Sequence, residues 1–267
     1  MSALEDYNRK QKALKSVVKA CQKLLWNSDH AAEARAYINN RLHQKEQLKW
    51  KVGYFPTDEH ISELIDRIPK ETLEYLGFYY PKFFSGGTMP HGHFSEHNLV
   101  MPFENVHGDV IAILGRCLLD EESRQEAGLN KYKYSNGCHK ELYVYGLEQA
   151  KEEIIRKDCV IGVEGQFDAI ALHARGVKNV VAFGWANMSR FQMFQLHRYT
   201  NNIVLMLDND SAGNKGKKRI KARYENDASI KLMSPPKEYK DIDEFFKNSK
   251  DTKLIKCVID TINSIGG

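Results

Sequence analysis

Residues 203–213 read Ile203-Val-Leu-Met-Leu-Asp208-Asn-Asp210-Ser-Ala-Gly213, an apolar run that ends in two carboxylates and a turn of small residues. A second apolar run, Cys159-Val-Ile-Gly-Val163, leads directly into Glu164-Gly165. Uninterrupted apolar runs of this kind are typical of strands that are buried on both faces of a parallel sheet. The two stretches therefore predict two such strands, each of which ends in acid.

Short apolar runs alternate with helical segments from about residue 150 onwards. This alternation predicts an α/β domain in which helices flank a mainly parallel sheet. The predicted strands cover residues 158–163, 179–183, 203–207 and 229–233, and the predicted helices cover residues 166–174, 189–198, 211–224 and most of 241–262.

The N-terminal half follows a different pattern, which predicts an α+β subdomain. Apolar residues at helical spacing predict two helices in the first fifty residues, and two strands are predicted to turn at His107-Gly108. We expect a Gly-, Pro- and His-bearing loop over residues 83–97 and a flexible connection over residues 119–131. The predicted domains are residues 1–150, residues 151–250, and a C-terminal helix over residues 251–267.

The acids at the strand ends predict a metal site. Carboxyl ends of parallel strands meet at one edge of a sheet, so Glu164, Asp208 and Asp210 are expected there, with Asp168 one helical turn beyond Glu164. Converging carboxylates repel one another unless cations lie between them, and hard oxygen ligands suit Mg²⁺ or Mn²⁺. Capping of the following helix by Asp210 and Ser211 is the alternative, but it leaves Asp208 and Glu164 unexplained.

A second pair of acids, Asp241 and Asp243, follows the last predicted strand. From the residues alone, two interpretations are equally good. The pair can mark the start of a helix, where acids are favoured by the helix dipole, or it can provide further metal ligands.

Composition limits the class of protein. The chain has 267 residues, of which 42% are hydrophobic and 28% are charged, and its formal net charge is +4. These values predict a globular protein with a core, and without a signal peptide or a membrane segment we expect it in the cytoplasm, away from membranes. The five cysteines lie far apart and are expected to be free thiols, so no zinc is expected in this chain. We take His91, His93 and His97 for surface histidines.

Several motifs resemble those of a known family. Glu164-Gly-Gln-Phe-Asp168, Gly176 and residues 208–213 resemble the Toprim domain, which carries out metal-dependent phosphate chemistry. Flanking segments resemble the catalytic core of DnaG-type primases in particular, and a compact core of this sort is also similar to phage primases. These segments are Lys51-Val-Gly-Tyr-Phe-Pro56, Leu99-Val-Met-Pro-Phe103, residues 107–116, Lys133-Tyr-Ser-Asn136, His139-Lys140 and Tyr145-Gly-Leu147.

The resemblance implies roles for these residues in a primase, which copies single-stranded DNA into RNA primers from ribonucleoside triphosphates. Two or more Mg²⁺ or Mn²⁺ ions are implied, as are a replicative helicase partner and a zinc-ribbon module supplied in trans. The implied catalytic residues are Glu164, Asp168, Asp208 and Asp210; the implied metal ligands are Glu164, Asp208, Asp210, Asp241 and Asp243; and the implied template- and nucleotide-binding residues are Arg116, Lys133, Tyr134, Asn136 and Lys140.

Two alternatives remain open at this point. A Toprim nuclease would use the same acids to cleave nucleic acid, and a non-catalytic nucleic-acid adaptor would reuse the fold without turnover. Lys131-Tyr132 is also an alternative register for the Lys133-Tyr134 motif.

Overall fold

The computed structural model describes residues 2–84, 87–249 and 253–263. The chain divides into two compact units. The first comprises Met1–Glu104 and Asp109–Cys138, and the second comprises Asn105–Gly108 and His139–Gly267. The division into domains at residues 150 and 250 stays a prediction. In the described ranges, no helix combines the length and the apolar character that crossing a membrane requires.

The first unit is built on a long N-terminal helix and an antiparallel sheet. Its elements, in chain order, are α1 (Ala3–Asn27), α2 (Ala32–Asn39), α3 (Gln44–Lys49), β1 (Gly53–Tyr54), α4 (Ser62–Ile65), α5 (Lys70–Tyr75), β2 (Tyr79–Phe84), β3 (Gly87–Gly92), β4 (Leu99–Glu104), β5 (Val110–Arg116), α6 (Glu121–Glu126) and β6 (Tyr132–Tyr134).

Helix α1 forms because its ends and its faces are both specified by the sequence. Ser2 and Glu5 make a capping box, in which each side chain accepts a hydrogen bond from the other residue's N–H. Leu14, Val17 and Leu24 lie on one face and are fully buried. That face packs on the sheet, whose strands run antiparallel in the order β1, β4, β5, β6.

Three details of the N-terminal half differ from the prediction. The first fifty residues form three α-helices rather than two. The predicted loop over residues 83–97 contains β3, which pairs with β2 so that Pro81 lies opposite Pro90. Proline is tolerated there because an isolated two-stranded sheet has two outer edges with no partner strand. Residues 85 and 86 of that loop lie outside the described residues.

The predicted flexible connection over residues 119–131 contains helix α6. Asp120 caps this helix by accepting a hydrogen bond from the Ser123 N–H at 2.9 Å. An ion pair joins Arg124 to Glu121, three residues earlier, at 2.9 Å. Caps and charged pairs of this kind support a short helix that has no buried residue, which is why hydrophobic periodicity could not reveal it.

The three histidines expected at the surface are buried instead. His91, His93 and His97 are 8%, 6% and 3% exposed. Each ring has a polar partner: His91 Nδ1 lies 2.7 Å from an Asp58 carboxylate oxygen, and the Nε2 atoms of His93 and His97 donate to the carbonyls of Tyr134 and Asn130. All three are therefore core residues: His93 and His97 hold β6 and the loop before it, and His91 holds the segment that contains Asp58.

The second unit confirms the predicted α/β class. Its four strands are all parallel, in the order β10, β9, β7, β8. Helices surround this sheet, and all five cysteines of the chain are free thiols, as expected. Its elements are α7 (Leu147–Lys157), β7 (Val160–Val163), α8 (Gln166–Ala174), β8 (Val180–Ala182), α9 (Arg190–His197), β9 (Asn202–Met206), α10 (Ser211–Tyr224), β10 (Ser229–Leu232), α11 (Ile242–Asn248) and α12 (Lys253–Asn263).

The C-terminal helix is described over Lys253–Asn263, where Leu254, Val258 and Ile262 are buried at four-residue spacing. The rest of the predicted helix, residues 251, 252 and 264–267, lies outside the described residues.

The buried histidines predict that the chain loses stability in mild acid. Burial lowers the pKa values of His93 and His97, and the nearby charge of Lys133 lowers them further. In the unfolded chain these residues bind a proton near pH 6.5. Through these two histidines the unfolded state binds more protons below that pH, so their contribution to the free energy of unfolding falls as the pH drops from 7.5 to 5.5.

His97→Gln should make this fall shallower, because glutamine keeps a donor for the Asn130 carbonyl and does not titrate. Urea unfolding at several pH values measures the effect, with His43→Gln at an exposed position as the control. If the free energy of unfolding depended on pH identically in the wild type and in His97→Gln, the lowered pKa of His97 would be contradicted.

Candidate active site

The predicted acids lie where the strands of the parallel sheet end. Val163, the last residue of β7, is paired with Met206, the last residue of β9. Glu164 follows β7 directly, and Asp208 comes two residues after β9. The strands that precede both acids thus end side by side at the centre of the sheet.

Asp168 is the most enclosed carboxylate of the group. It lies on α8, is 6% exposed, and one of its oxygens accepts a hydrogen bond from the Asp243 N–H at 2.9 Å. Burial raises the pKa of Asp168, and the charges of Asp241, Asp208 and Asp243 raise it further. The fold therefore brings together four carboxylates from three separate segments of the chain.

Asp210 and Asp241 each cap a helix. Asp210 accepts a hydrogen bond from the Gly213 N–H at 2.8 Å at the start of α10. Asp241 accepts from the Glu244 N–H at 2.7 Å at the start of α11. Capping was one of the two interpretations of these acids, and it holds for both of them. A capping carboxylate still has a second oxygen with which to bind a ligand.

Two glycines allow the chain to approach these acids closely. A Cβ atom on Gly165 would lie 2.5 Å from a carboxylate oxygen of Asp168. A Cβ atom on Gly213 would lie 2.3 Å from the carbonyl oxygen of Asp208. Neither distance is possible for a real side chain, so the first turn of α10 can pack against Asp208 only with glycine at 213.

Asn209 joins the two acid motifs, and the sequence interpretation missed it. Its side-chain nitrogen lies 2.8–3.1 Å from the carbonyl oxygens of Pro235, Pro236 and Tyr239. Its backbone N–H donates to the Lys240 carbonyl at 2.8 Å. The residue between Asp208 and Asp210 thus holds the loop that leads into Asp241.

Lys217 was also missed, since it was one of several lysines on a basic helix. Its side chain is buried, with the residue 4% exposed. The ammonium donates to the Ser234 hydroxyl at 2.6 Å and to the Leu207 and Met233 carbonyls at 3.4 Å. Burial lowers the pKa of Lys217, and the charges of Asp208 and Asp210 oppose this shift. The Lys217 ammonium is therefore a buried cation close to Asp208 and Asp210.

The loop that carries Lys140 is held to the end of β8. The Lys140 ammonium donates to the Gly184 carbonyl at 3.3 Å and lies 5.3 Å from the centre of the Trp185 ring. The buried Gln192 side chain donates to the carbonyls of Lys140, Tyr143 and Phe183. These contacts place a lysine beside the carboxyl end of the sheet within the second unit.

The remaining predicted binding residues lie in the first unit. Arg116 pairs with Tyr132 across the sheet and donates to its hydroxyl at 2.8 Å, whereas Lys133 pairs with Gly115. Because neighbouring residues of a strand point to opposite faces, the side chains of Arg116 and Lys133 leave the sheet on opposite faces. Tyr134 ends β6 and is half-buried, and Asn136 is exposed in the loop that follows.

The described residues contain no ready-made group of three His, Cys, Asp or Glu side chains with the spacing of metal ligands. The acids nevertheless fit a hard cation, because oxygen is the only donor they offer and because burial, and then the charges of the neighbouring carboxylates, raise the pKa of Asp168. A divalent ion would relieve the repulsion among these carboxylates.

Comparisons with known proteins agree with this arrangement. Residues 161–246 match the Toprim-like family. The DNA primase of Thermotoga maritima is 28% identical over 232 residues, which cover 86% of this chain and 40% of that protein. The chain is homologous to DNA primases.

Solved primase structures have the same fold. The Aquifex aeolicus primase, solved with its zinc-binding and RNA polymerase domains, superposes with a TM-score of 0.77 at 25% identity. That match covers 99% of this chain and 63% of the other. A DnaG catalytic domain solved with single-stranded DNA has a TM-score of 0.74 over 95% of this chain and 81% of its own, at 22% identity. The chain spans half or less of the length of the curated primases it matches.

Lys217 is expected to stabilise the second unit of this primase homologue. Lys217→Met leaves three acceptors without the ammonium and two carboxylates without a nearby cation. The free energy of unfolding should fall by about 1–3 kcal/mol. Urea unfolding measures the loss, and Lys218→Met, the same change at the exposed neighbouring position, is the control. Equal stability of the two variants would show that the buried ammonium contributes nothing.

Proposed function

We propose that the chain synthesises RNA primers on single-stranded DNA by nucleotidyl transfer. The observation that carries this proposal is the group of Asp168, Asp208, Asp241 and Asp243 at one edge of the parallel sheet. These acids lie within the segment that matches the Toprim-like family. Homology to DNA primases supports primer synthesis over other reactions of phosphate esters.

We assign the metal ligands as follows. Glu164, Asp208 and Asp210 would hold catalytic Mg²⁺ or Mn²⁺, with Asp168 supporting them. Asp241 and Asp243 would complete a position for a further ion. Divalent ions supply Lewis acidity, which activates a hydroxyl nucleophile and stabilises a departing pyrophosphate.

The protein's own part in the reaction is positioning and charge. The 3′-hydroxyl of one nucleotide attacks the α-phosphate of the next, a new P–O bond forms, and the bond to pyrophosphate breaks. Residues at the sheet edge would fix the reacting groups relative to one another, which accounts for much of the rate in such transfers.

Arg116, Lys133 and Lys140 would neutralise phosphates of template and nucleotides, and Tyr134 and Asn136 would contact them from the loop after β6. Phosphate contacts dominate the affinity of proteins for nucleic acid. Primase catalytic domains solved with single-stranded and double-stranded DNA support a DNA template.

Further partners follow from the same homology. The Aquifex aeolicus structure contains a zinc-binding domain beside the polymerase domain. We propose that a zinc-binding module acts together with this core, and that a replicative helicase brings the core to DNA.

The proposal predicts that Asp208→Asn/Asp210→Asn abolishes primer synthesis. Asparagine caps helices as well as aspartate does, so the fold is retained while the metal ligands lose their charge. Short RNA products on a single-stranded template, made from labelled ribonucleotides with Mg²⁺ or Mn²⁺, should fall at least about a hundredfold. Gel electrophoresis measures the products.

The matched control is Asp227→Asn/Asp260→Asn, which removes two exposed carboxylates from the same unit. It should retain full activity. Undiminished synthesis by Asp208→Asn/Asp210→Asn would contradict the proposal, and shortened template without new RNA would indicate a nuclease.

A further inference from the structure

A basic cavity of about 550 Å³ lies in the first unit, between α1 and the segment that contains α5. We call it the α1 groove. Its lining includes five cationic side chains and Tyr75 but no carboxylate. The five cations are Arg9, Lys12, Lys19, Lys23 and Arg67.

The cations of the α1 groove are exposed and available to a ligand. Among the described residues, none of the five forms an ion pair with a carboxylate. Lys15 on the same helix differs, because it pairs with Asp109 at 3.0 Å outside the groove. Positive charge is therefore concentrated along one face of α1 without internal neutralisation.

The shape of the groove suits an extended chain rather than a single ion. Four cations of α1 lie between positions 9 and 23, so they follow the helix axis for about 21 Å. Ala13 and Ala20 form part of the floor and are buried. These small side chains leave open space between the long cationic side chains of α1 and Arg67.

Tyr75 gives the groove an aromatic surface. The Arg9 guanidinium lies 4.2 Å from the centre of the Tyr75 ring, and the Tyr75 hydroxyl donates to an Asp6 carboxylate oxygen at 2.8 Å. The ring is thus held from two sides and half-exposed. Aromatic rings beside basic grooves stack with the bases of single-stranded nucleic acids.

The α1 groove adjoins the loop assigned above to template binding. A second cavity, of about 350 Å³, shares Tyr75 with the groove and is also lined by Ser135 and Asn136. Asp6 and Glu74 line it as well, so phosphate affinity is concentrated in the first cavity. Tyr75 therefore stands between the Asn136 loop and the row of cations.

We propose that the α1 groove binds the phosphate backbone of the single-stranded DNA template outside the active site, with a base stacked on Tyr75. This inference rests on the proposed function, since it extends the path of the template from Asn136. The strand follows α1 from Arg9 towards Lys23. An acidic peptide would also meet the cations, but it offers nothing that stacks on Tyr75.

The test measures DNA binding without nucleotides or metal, so it does not depend on catalysis. Fluorescence anisotropy follows a labelled oligothymidylate of about 20 nucleotides over a series of salt concentrations. Lys12→Ala/Lys19→Ala should lower the slope of log affinity against log salt by about 1.4, since each lost phosphate contact on single strands contributes about 0.7. Affinity in 0.1 M salt should fall about tenfold.

The control Lys45→Ala/Lys49→Ala removes the same charge from exposed positions on α3, outside the groove. Its slope should equal that of the wild type. Tyr75→Leu should weaken binding about fivefold or more, whereas Tyr75→Phe, which keeps the ring, should stay within twofold of the wild type.

Equal slopes for Lys12→Ala/Lys19→Ala and its control would overturn the inference. The inference would also be overturned if Lys12→Ala/Lys19→Ala released a bound polyglutamate peptide but left DNA affinity unchanged. Failure of the proposed function looks different. If the groove variants lose affinity but the wild type makes no RNA, the DNA site stands without primer synthesis. If primers form and the slopes are equal, synthesis stands without the groove.

Discussion

Carboxylates that are buried near one another repel, and the second unit is arranged to hold such a group together. Asp168 is enclosed on α8, where burial and then the charges of Asp241, Asp208 and Asp243 raise its pKa. The chain compensates with backbone N–H groups at the starts of helices, where the positive end of the helix dipole favours negative charge. The N–H groups of Asp243 and Glu244 donate to Asp168 and Asp241, and the Gly213 N–H donates to the neighbouring Asp210. Much of the unit's local structure follows from this requirement.

The sheet and its acids could be predicted from the sequence, because both leave strong local signals. Apolar runs at residues 159–163 and 203–207 became the central pair of a parallel sheet, and acids at their ends had to lie at one edge. The position of Asp168 could also be predicted, since one helical turn from Glu164 leads back towards that edge. The roles of these residues in catalysis remain proposals.

Other features could not be predicted, because they depend on contacts between distant residues. Lys217 is one of six cations on or near α10 by sequence, and only the ends of β9 and β10 make it a buried donor. His97 is buried because Asn130, 33 residues later, accepts its hydrogen bond. The β2–β3 pair was obscured by prolines, which are usually evidence against a strand.

The contacts of Asn209 have a consequence for how this site can vary among related chains. The Asn209 side-chain amide links the first acid motif to the loop that precedes the second. Its acceptors in that loop are backbone carbonyl oxygens, which every residue type has. Substitutions that leave the backbone of residues 235–240 in place would therefore keep these acceptors, while a change at Asn209 would remove the side-chain hydrogen bonds that join the two motifs.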